Sequence, residues 1–225
     1  MNVSTLPTGY SAREILWDRP SSRVILAETK DGQVALKIFR DRRTQSPARD
    51  ALLEMLAGPG LMPVLDCGRC DDGTVWYATP LADGLQGLDD GDKNESRYTP
   101  HTLNRMLERI RTLHPGEVAA LGLAIAKGIA RLHRLGWIHG DVKPSNIAYR
   151  DGCPVLIDYG LLRPSGVPFD PSGTPGYVPI QGSSDLGADI YALGLTLYEA
   201  WTGLHRQEYP SLPPEITADP SWRTH

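Results

Sequence analysis

The chain has 225 residues, 40% of them hydrophobic and 22% charged, with 23 Lys and Arg against 27 Asp and Glu for a formal charge of −4. That balance gives no basic footprint for nucleic acid, and no apolar run reaches the roughly eighteen residues of a membrane span. The N-terminus lacks the basic and apolar regions of a secretory signal. An odd count of 3 cysteines makes no disulfide framework, so a reducing cytoplasm is the expected compartment. Cys67 and Cys70 form a C-x-x-C, but no second such pair or H-x-x-x-H completes a zinc site. They read as two thiols near a strand end.

In chain order, residues 24–27 and 33–39 flank the turn signal Lys30-Asp31-Gly32 and predict a hairpin. Between Pro47 and Ala57, Leu52, Leu53 and Leu56 fall at helical spacing, and Gly58-Pro59-Gly60 ends the run. Val64-Leu65 and Thr74–Thr79 read as two further strands joined through Asp72-Gly73. From Thr99 the pattern becomes helical. Thr99 suits an N-cap and Pro100 a first helical residue, ahead of Leu103, Met106, Leu107 and Ile110. A second helix starts near Pro115, presents Val118, Leu121, Ile125, Ile129 and Leu132, and ends in Arg131, His133 and Arg134 before Gly136. A small hairpin is predicted at 147–149 and 155–157 around Asp151-Gly152, and a last helix from about Asp185 to Thr202, stopping at Gly203. The segment 207–225 shows no clear element. Strands first and helices after predict an α+β fold with a sheet lobe and a helical lobe.

The chemistry concentrates in His139-Gly140-Asp141-Val142-Lys143-Pro144-Ser145-Asn146, followed by Asp158-Tyr159-Gly160. Phosphoryl transfer needs a carboxylate near the attacking hydroxyl, a cation on the transferring phosphate and oxygen ligands for magnesium. An Asp, a Lys two residues on and an Asn five residues on can meet at one point if the loop folds back. A second Asp from a neighbouring strand end can complete the metal site.

The spacing resembles the catalytic loop H-R-D-x-K-x-x-N and the D-F-G of eukaryotic-type serine/threonine protein kinases. Val34-Ala35-Leu36-Lys37 resembles the V-A-I-K strand of that family. Gly173–Pro179 resembles the segment running up to A-P-E, and Asp189-Ile190-Tyr191-Ala192-Leu193-Gly194 the D-x-W-S-x-G helix. The resemblance implies a bilobal kinase-like domain over 1–225, with an N-terminal lobe at about 10–80 and a helical C-terminal lobe at about 81–225 that is cut short. It implies ATP and Mg²⁺ as cofactors and a protein substrate with a Ser or Thr acceptor. Asp141 would orient the acceptor hydroxyl, Lys143 would neutralise the γ-phosphate, and Asn146 and Asp158 would hold magnesium. Lys37 would hold the inner phosphates. Val24, Ala35 and Ala148 would sandwich the adenine, with Thr79 as gatekeeper and Ala82 as the hinge N–H donor.

Several positions depart from that pattern. The three glycines of the phosphate-cradling loop fall at Trp17, Arg19 and Ser22, and Pro20 removes a backbone donor, which predicts weak ATP affinity. The Glu that pairs with the strand lysine falls at Arg49, while Asp50 and Glu54 need a shifted or rotated helix to serve. Gly140 stands where an Arg usually grips a phosphorylated activation segment, so activity is expected not to depend on phosphorylation of Ser165, Ser172 or Thr174. Ile180 stands where A-P-E has its Glu. With the late helices absent, the exposed C-terminal lobe invites a partner or dimer. Besides a working protein kinase, two readings follow: a pseudokinase acting as a nucleotide-binding or scaffold module, and an aminoglycoside-type phosphotransferase, whose H-G-D-x-x-x-x-N is also matched.

Overall fold

The computed structural model describes residues 6–40, 47–70, 72–85, 98–167, 173–179 and 186–218. The N-terminal lobe is one five-stranded antiparallel sheet in the order β1-β2-β3-β5-β4. It comprises β1 (Ser11–Asp18), β2 (Ser22–Thr29), β3 (Gly32–Phe39), β4 (Asp66–Arg69) and β5 (Val75–Pro80). The predicted hairpin is β2–β3, closed with Thr29 opposite Gly32. Val64-Leu65 precede the fourth strand and do not form it; Leu65 N–H only donates to the Ala78 carbonyl as the chain enters β4.

Residues alternate between the two faces of this sheet. Ile25, Ala27, Val34, Leu36, Ile38, Trp76 and Ala78 form an outer core, covered by Leu6, Tyr10 and Cys70. Directly opposed residues share a face, and the register aligns Val24 with Lys37 and Leu26 with Ala35, which in turn faces Thr79. The other face thus carries Val24, Ala35, Lys37 and Thr79. It meets the second lobe through Phe39 and Tyr77, both part of the larger core. Helix α1 (Pro47–Met55) turns Arg49, Leu52 and Leu53 to that core, and Leu56 just beyond it is buried as well.

The helical lobe holds α2 (Leu103–Ile110), α3 (Pro115–Arg134) and α4 (Gly187–Thr202). Helix α2 starts later than Thr99 and Pro100 suggested, with Thr102 as N-cap accepting from Arg105 N–H. The preceding stretch is extended because it pairs elsewhere: the Thr99 carbonyl accepts from Leu85 N–H, and Pro100 and Thr102 bridge to Gly84 and Ala148. Helix α3 begins where predicted, in a capping box between His114 and Glu117, and buries Leu121, Ile125, Ile129 and Leu132. The two-stranded pieces are β6 (Trp137–Ile138) with β9 (Arg163–Pro164), and the predicted hairpin β7 (Ile147–Arg150) with β8 (Cys153–Leu156). Helix α4 ends at the left-handed Gly203 as expected; Asp185, offered as its start, lies outside the described residues, as do Ser172 and Ile180. The segment after Gln207 is not featureless, since α5 (Pro214–Ala218) follows a 3-10 turn at Arg206–Glu208. Among the described residues no helix is long and apolar enough to cross a membrane.

Candidate active site

The loop between β6 and β7 folds back on itself, as a meeting of Asp141, Lys143 and Asn146 requires. Its base is Asp189 near the start of α4, 1% exposed, whose carboxylate accepts from His139 N–H at 2.8 Å, Gly140 N–H at 2.9 Å and His133 Nε2 at 2.9 Å. Burial alone would push its pKa up; the His133 bond, the His139 ring and the two backbone donors outweigh this and hold it below the ordinary range. Gly140 has φ +80, and a Cβ there would lie 2.7 Å from Arg163 Nη1 and 2.9 Å from the Leu161 carbonyl. Arg163 on β9 therefore fills the space beside the loop into which a side chain at 140 would grow.

Four donors converge on Asp141. Lys143 Nζ reaches Oδ2 at 2.7 Å and Asn146 Nδ2 reaches the same oxygen at 2.8 Å. On Oδ1 the Thr174 hydroxyl donates at 2.6 Å and its N–H at 3.3 Å. Lys143 also donates to Thr174 Oγ1 at 2.6 Å, closing a ring of Asp, Lys and Thr. The sequence offers Thr174 as a modification site within the segment that resembles the run up to A-P-E, with no role at the reaction centre. Its hydroxyl is in fact occupied between the two charges, and the signal available was its place in Gly173-Thr174-Pro175. The segment it belongs to is anchored to α4. Arg206 donates to the Pro175 carbonyl at 3.0 and 3.1 Å, lies 4.4 Å above the Tyr177 ring and pairs with Glu199 at 3.4 Å. Glu199 in turn accepts from Tyr177 OH.

Lys37 projects from β3 to the Asp-Tyr-Gly turn, 7% exposed, and pairs with Asp158 Oδ1. This answers the question of its partner. Asp50 is engaged by Arg69 at 2.6 Å and Glu54 is exposed, so neither of them serves. Asp158 sits at φ 66 and accepts from Gly160 N–H on the same Oδ1 at 3.0 Å. Burial raises its pKa, but the Lys37 charge and hydrogen bond, the Gly160 N–H and the His139 ring prevail and hold it at about 2. A depressed carboxyl stabilises the fold above its unfolded pKa of about 4, and that contribution is lost as pH falls through the folded value. The stability advantage of the wild type over Asp158→Asn is thus expected to be constant near neutrality and to shrink between about pH 4 and 2. Urea midpoints across that range check it, and a pH-independent difference would contradict the pairing.

The remaining predicted residues flank this centre. Ala148 is fully buried on β7, and Tyr149 next to it binds both the His101 carbonyl and Asp83 N–H. Asp83 also accepts from Asp151 and Gly152 N–H at 2.9 Å each. The stretch carrying Ala82 is so fastened to the β7–β8 hairpin, and Tyr98 OH holds the Ala82 carbonyl at 2.9 Å. Among the described residues the Ala82 N–H has no hydrogen-bond acceptor. At the β1–β2 turn, where the family's cradling glycines are replaced, Arg19 N–H donates to the Ser22 carbonyl at 3.0 Å. Asp18 is gripped by Arg23 and Arg40 at 2.7 Å each.

The donor set suits a hard divalent cation, which prefers carboxylate and carbonyl oxygens. Asn146 spends its amide N–H groups on the Asp141 carbonyl and carboxylate, leaving its amide oxygen as an acceptor. Asp158 is ionised, and both of its donors use Oδ1, so Oδ2 remains.

A two-lobed fold with this loop and turn defines a class, and the chain belongs to the protein kinase domain family, which its residues 95–209 match. It is 31% identical, over 90% of its length, to the DNA damage-responsive serine/threonine-protein kinase RqkA of Deinococcus radiodurans. It is 34% identical, over 77% of its length, to the serine/threonine-protein kinase PknK of Mycobacterium tuberculosis. A third relative, the serine/threonine-protein kinase PknA of a Nostoc species, is 35% identical over 50% of the chain. The chain spans 31%, 16% and 22% of the lengths of these three proteins.

Proposed function

We propose that the chain transfers the γ-phosphate of ATP to Ser or Thr hydroxyls of protein substrates. The observation that carries this reading is the Asp141 carboxylate, ringed by Lys143, Asn146 and Thr174 of the anchored 173–179 segment. Asp141 takes the acceptor's proton as that oxygen bonds the γ-phosphorus. The bond from phosphorus to the β–γ bridging oxygen breaks and the electron pair leaves on ADP. Lys143 offsets the charge on the transferring group, and Lys37 holds the inner phosphates. Val24 and Ala35 above and Ala148 below enclose the adenine, with Ala82 N–H as hinge donor. Asn146 and Asp158 are the residues that would hold magnesium, which supplies charge neutralisation at the phosphates. The setting is a reducing cytoplasm, and Ile190 and Tyr191 of α4, 53% and 41% exposed, suit cover by a partner.

One observation favours a second reading, a nucleotide-binding scaffold without turnover: the β1–β2 turn spends the Arg19 N–H on Ser22 and offers no glycine over the phosphates. Labelled ATP with magnesium and a generic basic protein separates the two. Incorporation into phosphoserine or phosphothreonine is the expected result, with a nucleotide affinity weaker than micromolar. Magnesium-dependent nucleotide binding with no incorporation supports the scaffold. Transfer to an aminoglycoside and to no protein overturns both.

A further inference from the structure

Among the described residues Arg49 is the largest side chain that is fully buried, at 2% exposure, on the inner face of α1. A guanidinium stays charged in a protein, although burial lowers the Arg49 pKa from its ordinary value. Such a group is costly to bury without strong acceptors. Arg49 Nη2 donates to the Tyr159 carbonyl at 2.7 Å, and its guanidinium lies 4.7 Å from the centre of the Phe39 ring. Lys37 Nζ is 5.3 Å from the centre of that ring. Two cations of the N-terminal lobe therefore share one aromatic ring and grip two successive acceptors of the Asp-Tyr-Gly turn. Lys37 takes the Asp158 carboxylate and Arg49 the next carbonyl. Tyr159 is held on its other sides by Tyr77 OH, which accepts from its N–H at 3.1 Å, and by the Met62 carbonyl, which accepts from its hydroxyl at 2.5 Å with the Leu156 carbonyl at 3.2 Å.

We propose that Arg49 is a positioning residue that sets the orientation of Asp158 by holding the Tyr159 carbonyl. In this chain α1 secures the turn that bears the acidic residue, where a carboxylate at the same helix position would instead secure the lysine. Helix α1 and Asp158 consequently move as one unit. Loss of the guanidinium leaves a buried carbonyl without this donor, and the turn, with φ 66 at Asp158, relaxes.

The proposal rests on the kinase reading only in that Asp158 serves the nucleotide site, and its first test needs no turnover. Hydrogen exchange of wild type, Arg49→Met and Arg49→Lys is followed by mass spectrometry without metal or nucleotide. Exchange of the peptide across residues 157–162 is expected to accelerate at least tenfold in Arg49→Met and less in Arg49→Lys, with the α3 peptides unchanged. Wild-type exchange at the turn, or equal acceleration in α3, overturns the proposal. If Arg49→Met does not fold, the local acceleration in Arg49→Lys alone decides. The second test is Arg49→Glu, which offers Lys37 a carboxylate. Its magnesium-dependent gain in ADP affinity is expected to fall about tenfold, with metal-free ADP affinity kept. A gain equal to or above the wild type overturns the positioning role. Wild-type protein whose ADP affinity ignores magnesium would instead defeat the kinase reading and leave the exchange result standing.

Discussion

Asp141→Asn is expected to lower phosphate transfer to a protein acceptor by about 10²–10⁴-fold, the range of a positioned acid–base group, with little change in nucleotide affinity. The amide retains the shape of the carboxylate, and its oxygen still accepts from Lys143 or Asn146, but it cannot take up a proton. Its NH₂ also points a donor at Thr174 or Lys143, both of which donate to this side chain in the wild type. Nucleotide affinity is spared because the residues proposed to hold the phosphates and adenine, Lys37, Val24, Ala35 and Ala148, come from other strands and none of them hydrogen-bonds Asp141. Label incorporation and an ADP titration on the same preparation read the two quantities separately. Equal loss of both would mean that the substitution collapsed the loop. An unaffected rate would remove Asp141 from the reaction.

The parts of this site written in one stretch of chain were legible in the sequence. Asp141, Lys143 and Asn146 lie within six positions, so they can meet at one point if the loop folds back on itself, as it does. Lys37 was legible through its apolar strand, in which a charge needs a reason, and Asp189 through the resemblance of residues 189–194 to the D-x-W-S-x-G helix. Contacts between distant segments were not. The Lys37 pair spans 121 positions and the Thr174 contact to Lys143 spans 31, and no local propensity encodes either. Helical spacing put Leu52, Leu53 and Leu56 on the inner face of α1 and the family resemblance put Arg49 at the position of the pairing Glu, but neither says which polar group waits there. Strand β1 went unseen because all of it is exposed or half-buried and does not alternate cleanly. The start of α2 was misplaced because Thr99-Pro100 is a good local cap, and a tertiary pairing with Gly84-Leu85 outbids a cap worth about 1 kcal/mol.

The same distinction between local and tertiary demand governs the junction of the two lobes, where Gly60→Ala is expected to cost about 4 kcal/mol and Gly128→Ala about 2 kcal/mol of stability. The segment leaving α1 is wedged between α3 and β8: the Gly60 carbonyl accepts from Leu156 N–H at 2.9 Å, and Met62 N–H donates to the Leu156 carbonyl at 2.9 Å. A Cβ on Gly60 would run into the Ala124 carbonyl and lie 2.7 Å from Gly128 N; one on Gly128 would meet the Gly60 carbonyl, with its carbon 2.8 Å away. All of these are backbone atoms of elements fixed from both sides, so neither clash can be relieved by a side-chain rotation. Overpacking of this kind costs about 3 kcal/mol. At Gly128, inside a helix, the better propensity of Ala returns about 1 kcal/mol. At Gly60 the left-handed φ of +77 adds about 1 kcal/mol instead. Gly152→Ala is the control, since it has φ +72 with nothing within 4 Å of its Cβ and should lose only the conformational term, about 1 kcal/mol. Urea unfolding of the three variants gives the order Gly60, Gly128, Gly152 if the wedge is tight. Gly128→Ala as stable as the wild type would mean that the segment can lift off α3. Because β8 runs from this contact into Asp158, a lifted segment would also free the turn that Lys37 and Arg49 hold.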